Sequence, residues 1–244
     1  TSRTFPGTCT PRYTNILKNE GYRDARNWQV TSGPTSMEIL NPEIEKYLFS
    51  LLQHDHEVLK EMEEYGYKWK FPIIGPLLGK ILMLMASAIQ ARRVLEMGSG
   101  YGYSAFWFAR GMPPGGVVIA CDKSEENAQK ASDYFKRGGM LDKLDFRTED
   151  ALDVIDRLPG ELDIVFIDCS KEQYPDALRV SLPKVRSGGL IMAHNVLWYG
   201  TVVKGDHDGV TNYIKEFNRM LYSAPDLITT IIPLWDGLSI SLKK

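Results

Sequence analysis

The sequence is poor in the features that mark secreted, membrane-spanning or nucleic-acid-binding chains. Among 244 residues there are three cysteines, Cys9, Cys121 and Cys169. Their spacing excludes a CxxC zinc or redox motif, and an odd number excludes a fully paired disulfide framework. A reducing compartment is therefore expected. Cys121 and Cys169 end apolar runs and read as inert, buried thiols. Long hydrophobic runs are also missing. The most apolar stretch, Ile73 to Ile89, is broken by Gly75, Pro76, Gly79 and Lys80. It reads as a buried helix and not as a membrane span. The first residues show no apolar signal core, and a cytoplasmic location is expected. An excess of one charge is lacking too: 29 basic against 31 acidic residues give a net charge of -2. With no basic stripe, there is no general attraction for nucleic acid.

What is present suits a globular α/β chain. Hydrophobic residues make up 43% and charged residues 25%, enough to bury a core without staples. The length fits one large domain. Residues 1–36 read as an irregular N-terminal extension carrying Pro6, Gly7, Pro11, Gly21, Gly33 and Pro34, with a short helix near Tyr13 to Asn19. Residues 37–91 read as N-terminal helices. Asn41-Pro42-Glu43 supplies a cap, a first-position proline and a first-turn acid. Ile44, Tyr47, Leu48, Leu51 and Leu52 follow at helical spacing, and Leu59 and Met62 extend the stripe. One helix is thus expected to run through His54 and His56. At i and i+2 these do not share a face, so they read as surface residues and not as a metal pair.

Residues 92–244 read as the α/β core. Buried strands are expected at Val94–Met97, Val117–Cys121, Leu144–Arg147, Ile164–Ile167 and Leu190–Ala193. Helices separate them. One is capped by Ser124 and stops at Gly138-Gly139; another runs from Tyr174 to Val185 and ends before Gly188-Gly189. A last helix around Val210 to Tyr222 precedes Thr229–Pro233 and Leu238–Leu242, which flank Asp236-Gly237 and read as a hairpin. The expected fold is a Rossmann-like α/β sheet, mostly parallel, with helices on both faces and a C-terminal antiparallel hairpin.

The sharpest motif is Glu96-Met97-Gly98-Ser99-Gly100-Tyr101-Gly102-Tyr103-Ser104, between a strand and a helix. Gly98, Gly100 and Gly102 let the backbone turn tightly and approach a ligand with no Cβ in the way. Their spacing is G-x-G-x-G, not the dinucleotide fingerprint G-x-G-x-x-G. Asp122 ends the second strand, where an acid can hold ribose hydroxyls for a nicotinamide cofactor as well as for other nucleosides. Asp150-Ala151 follows the third strand, where an adenine ring would lie.

The blocks VLEMGSGYGYS, Asp122, EDALDVI, DIVFIDCSKEQY, GGLIMAHNVLWYG and PLWDGLSISLKK, in that order, resemble the catechol and caffeoyl-CoA O-methyltransferase family. The resemblance covers about residues 37–244. It implies a class I methyltransferase that uses S-adenosylmethionine (SAM). It implies that Glu96, Gly98 and Ser104 contact SAM within the turn that Gly100, Gly102 and Tyr103 complete. Asp122 would hold the ribose, Asp150-Ala151 would border the adenine, and Asp168 would close the site. It further implies a divalent ion that binds both oxygens of a catechol-like acceptor, held by Asp168, His194 and Asn195. Lys171 would be the general base, a role that requires burial or a nearby dication to favour the neutral amine. Trp198, Tyr199, Trp235 and Asp236 would surround the acceptor, and relatives are commonly homodimers.

Two residues depart from the family pattern. His194 stands where the family has aspartate, and Ser170 stands where relatives often carry a second acid. Both make the site less acidic. Weak Mg²⁺ binding is expected, with a shift toward Mn²⁺, Fe²⁺ or Zn²⁺. Asp206, His207 and Asp208 read as a solvated helix start. Two alternatives stay open. One is a methyltransferase fold that has lost or altered its transfer chemistry, which His194 and Ser170 keep alive. The other is an NAD-dependent oxidoreductase, which the glycine spacing and the hairpin disfavour.

Overall fold

Local chemistry sets the first helix. The Asn41 side chain accepts from Glu43 N at 2.9 Å, and Pro42 opens α1 (Pro42–Leu51). The computed structural model describes residues 39, 41–52, 56–204 and 209–244. The expectations for residues 1–36, for His54, and for Asp206, His207 and Asp208 lie outside the described residues.

The expected single helix through His54 and His56 is instead two. Leu52 leaves α1 with extended backbone, and His56, also extended, precedes α2 (Glu57–Trp69). Leu52 and Leu59 are seven residues apart, so the apolar phase continues across a break that periodicity cannot register. His56 is not a surface residue either. It is half-buried, with its ring edge-on to Phe106 at 5.0 Å. The stretch read as a buried helix forms α3 (Gly75–Ala88), which buries Leu78, Leu82 and Ala86 but leaves Leu84 exposed. Among the described residues, no helix is long and apolar enough to cross a membrane.

The sheet has seven strands: β1 (Arg93–Met97), β2 (Val117–Cys121), β3 (Leu144–Arg147), β4 (Leu162–Ile167), β5 (Val185–His194), β6 (Leu227–Ile232) and β7 (Leu238–Lys243). Their order is β3-β2-β1-β4-β5-β7-β6. The first five are parallel; β7 runs antiparallel to both β5 and β6. Five further helices connect them: α4 (Tyr103–Gly111), α5 (Glu125–Arg137), α6 (Ala151–Arg157), α7 (Tyr174–Ser181) and α8 (Gly209–Ser223). Ser124 caps α5, accepting from Asn127 N at 3.2 Å, and Gly138-Gly139 ends it.

Parallel strands are covered on both faces, which is why β1, β2 and β4 are nearly continuous apolar runs. On one face Leu95, Met97, Val165, Ile167 and Ile191 pack with Ile155, Leu178 and Phe217. Each such side chain contributes roughly 1.5–3 kcal/mol on leaving water. β5 corrects another expectation: Val185 and Gly188-Gly189 belong to the strand, and α7 stops at Ser181. Gly188 has φ +72, and the β4–β5 register shifts between Leu162 and Ile164. The glycines thus kink a strand where they had read as a helix stop.

Strand order reverses at β1 and β4, whose connections leave in opposite directions. The crevice beyond their carboxyl ends is the place where open α/β sheets take ligands.

Candidate active site

One half of this crevice is the glycine turn. Gly98 N and Ser99 N donate to Cys121 O at 3.0 and 2.9 Å, tying the turn to the end of β2. Gly98 has φ +92, and a Cβ there would lie 2.5 Å from the Asp168 carbonyl oxygen. Only glycine allows β1 and β4 to exit this close together. Asp122 braces the same turn: its Oδ2 accepts from Gly100 N at 3.2 Å, and its Oδ1 accepts from Ser124 N and Asn127 Nδ2. Asp150 caps α6, accepting from Leu152 N, and also from Lys123 Nζ at 2.9 Å and Gln173 Nε2 at 3.2 Å. Its hydrogen bond from Lys123 is the main reason its carboxyl lies below the usual range. Ala151 and Tyr103 are buried beside this half.

Glu96 is fully buried, and the hydroxyls of Ser99 (2.5 Å) and Ser104 donate to its two oxygens. Burial pushes its carboxyl up to about 7, although both serine hydrogen bonds pull the other way. A raised carboxyl pKa favours the folded state fully below about 4.5 and loses that advantage as pH climbs through 7. The difference corresponds to about 3 kcal/mol. Glu96→Gln cannot ionise, so its Tm relative to wild type should climb between pH 5 and pH 8. A pH-independent difference in thermal melts would contradict this.

The other half is built from the ends of β4 and β5. Asp168 follows β4, and its backbone N–H donates to Met97 O at 2.9 Å. Lys171, on the three-residue turn Lys171–Gln173, donates from Nζ to Asp168 Oδ1 at 2.9 Å and to Tyr174 Oη at 2.8 Å. Tyr174 Oη in turn donates to His194 O at 2.8 Å. His194 Nδ1 lies 3.4 Å from Asp168 Oδ2. Burial alone would raise the Asp168 carboxyl, but Lys171 and His194 overcome it and hold it at about 2.

Beyond His194 the backbone turns left-handed repeatedly. Asn195, Trp198, Tyr199 and Trp235 all have φ between 45 and 55. Such conformations cost side-chain-bearing residues of order 1 kcal/mol each and need outside support. Asp236 provides it: Oδ1 accepts from Tyr199 N at 2.5 Å and Oδ2 accepts from Asn195 Nδ2 at 3.0 Å. Asp236 is itself buried, which raises its carboxyl pKa. Trp198 lies 6.0 Å from the Lys171 ammonium, and Tyr199 is the more exposed ring. Trp235 is turned into packing, beside Phe49 and against Gly75, where a Cβ would strike the indole at 1.6 Å.

Among the described residues, no three His, Cys, Asp or Glu side chains converge as a metal site. A three-donor set therefore needs the Asn195 amide. Its nitrogen is taken by Asp236, which leaves the oxygen, the atom a cation would use. His194 Nε2 is buried with no hydrogen-bond partner among the described residues. One carboxylate, one imidazole and one amide fit a divalent cation of the imidazole-tolerant kind.

The structure also places residues that sequence reasoning passed over. Tyr174 ties Lys171 to β5, and Gln173 ties the same turn to Asp150. Tyr174 could have been suspected, since it lies one helical turn beyond Lys171. Glu63, which accepts from Tyr103 Oη at 2.8 Å, gave no signal on an ordinary polar helix face.

The O-methyltransferase family pattern matches residues 50–244. The catechol O-methyltransferase of Mycobacterium tuberculosis is 31% identical over 211 residues, covering 83% of this chain and 96% of that protein. Caffeoyl-CoA O-methyltransferase 1 of Eucalyptus globulus is 28% identical over 205 residues, covering 78% and 83%. Among solved structures, the O-methyltransferase TomG from Streptomyces achromogenes, involved in tomaymycin synthesis and determined in complex with SAM, superimposes with a TM-score of 0.76. It is 28% identical, with 83% of this chain and 96% of that chain covered.

Proposed function

Since the chain belongs to the O-methyltransferase family and is a SAM-dependent enzyme, we propose that it methylates one hydroxyl of a small, catechol-like acceptor with the help of a divalent cation. The observation that carries this reading is that Asp168 belongs to both halves of the crevice. Its backbone oxygen packs against Gly98 of the glycine turn, and its carboxylate receives Lys171.

In this reading Gly98, Gly100 and Gly102 give SAM its approach, Glu96, Tyr103 and Ser104 shape the turn, and Asp122 and Asp150-Ala151 border the nucleoside. SAM supplies a methyl group on a sulfonium, and in-line displacement by oxygen makes positioning the main requirement. Lys171, in its neutral form, takes the proton from the attacking hydroxyl. Tyr174 and Asp168 fix the Nζ that receives it. Trp198 and Tyr199 flank an aromatic acceptor, and Asp236 holds their turn in place. Asp168, His194 and Asn195 would hold the cation, which on binding favours the ionised acceptor. A cytoplasmic homodimer completes the proposal, supported by the exposed stripe Ile44, Tyr47 and Leu51 on α1.

The test is a methyl-transfer assay on a catechol with SAM, titrated with Mg²⁺, Mn²⁺ and Zn²⁺. Turnover is expected at lower Mn²⁺ than Mg²⁺. His194→Asp restores a negative charge beside the ion and should tighten Mg²⁺ by at least about tenfold. Absence of transfer to the catechol with every metal would overturn the catechol-like acceptor and the metal assistance proposed here.

A further inference from the structure

The helices before the sheet grip the glycine turn through groups that the proposed chemistry does not use. Glu63, on α2, is 4% exposed, and its Oε1 accepts from Tyr103 Oη at 2.8 Å. The neighbouring carbonyl, Met62 O, accepts from Tyr101 Oη at 2.8 Å. Gly66 keeps α2 close: a Cβ there would lie 2.8 Å from Tyr101 Oη. Just beyond α2, Phe71 covers Gly100, whose own Cβ would lie 2.8 Å from the Phe71 ring. Three residues of the turn and helix start, Gly100, Tyr101 and Tyr103, are thus contacted from residues 62–71.

A carboxylate is an expensive choice for this position. Burial pushes Glu63 up to about 7, and an apolar side chain would fill the space without that penalty. What Glu63 adds is directional: it fixes one tyrosine hydroxyl. The turn needs such fixing, because Gly98, Gly100 and Gly102 all have positive φ and lack side chains to hold them.

We propose that Glu63 is a positioning residue of the donor site: by holding Tyr103, while Met62 O holds Tyr101, it keeps the glycine turn in the shape that receives SAM. The inference rests on the turn being the SAM site. It makes donor affinity depend on a helix that lies outside the sheet.

The test uses the full chain and measures SAM binding by calorimetry, with steady-state kinetics alongside. Glu63→Leu removes the acceptor at similar volume and should weaken SAM binding by about tenfold. KM for SAM should rise while KM for the acceptor, and kcat at saturating SAM, stay level. Glu63→Gln keeps an accepting oxygen and should bind SAM within about threefold of wild type. If Glu63→Leu does not fold, Tyr103→Phe removes only the hydroxyl and is expected to act in the same direction. A folded Glu63→Leu or Tyr103→Phe protein that binds SAM as tightly as wild type overturns the role of Glu63 alone. Failure of the wild type itself to bind SAM overturns the donor site and this inference with it.

Discussion

Replacing Lys171 by methionine should lower kcat by about 10²–10⁴-fold while SAM binding shifts by less than about threefold. The side chain is 12% exposed, and its Nζ is fixed by Asp168 Oδ1 at 2.9 Å and Tyr174 Oη at 2.8 Å. Methionine matches the apolar stem as far as Cε but lacks the Nζ that lies over the Tyr174 ring. What it removes is the basic nitrogen. Lys171→Arg separates charge from proton transfer: arginine keeps the cation beside Asp168 but does not release its proton. Arginine should therefore protect stability without restoring turnover. The stability effect has a definite sign. Asp168 is held at about 2, so its ion pairs stabilise the fold above about pH 4 and fade as pH falls toward 2. Lys171→Met forfeits part of that at neutral pH. Single-turnover rates with saturating SAM are the measurement; a methionine variant within threefold of wild type would remove Lys171 from the chemistry.

Gly98→Ala should cost the fold about 3 kcal/mol and reduce SAM affinity by more than about 100-fold. The new Cβ would meet the Asp168 carbonyl oxygen at 2.5 Å, its carbon at 2.8 Å and Cys169 Cα at 2.9 Å. All three are backbone atoms, and the Asp168 N–H is bonded to Met97 O. Relief requires pulling β4 away from β1, and this carries Asp168 and Lys171 out of place. A drop in Tm of about 10 °C corresponds to this loss for a chain of this size. Gly139→Ala is the control. Gly139 also has positive φ, +68, but nothing lies within 4 Å of its Cβ position. Its cost should be that of the backbone alone, about 1 kcal/mol. If the two variants melt and bind alike, the close approach of β1 and β4 is not what demands glycine at 98.

Much of the sheet is legible in the sequence because burial on both faces writes uninterrupted apolar runs. Val117–Cys121 is such a run and is a strand residue for residue, while Leu144–Arg147, at the sheet edge, keeps its expected bounds with an alternating pattern instead. The acids at strand ends are legible for a related reason: Asp122 and Asp168 stand where apolar runs stop, Asp150 follows the third strand, and the parallel topology brings those strand ends to one edge. Features that depend on distant partners are not legible. The break between α1 and α2 hides in a seven-residue spacing that preserves phase. Gly188-Gly189 signals a stop in any element, and only pairing with β4 shows that the element is a strand. The insertion of β7 between β5 and β6 leaves no local trace. In the candidate site, residue types were readable but bonding was not. Asp236 is an internal brace for Asn195 and Tyr199, and nothing in Trp235-Asp236 distinguishes a brace from a contact to ligand.

The strand order has a practical corollary. In the proposed reading the donor half is carried by β1, β2 and β3, and the acceptor half by β4, β5 and the β6–β7 hairpin. The reversal between β1 and β4 works as a seam, where the Asp168 backbone meets the glycine turn and the Gln173 side chain reaches Asp150. On that reading, substitutions at Trp198 and Tyr199 should change acceptor preference more than SAM affinity, much as a tool takes interchangeable heads on one handle.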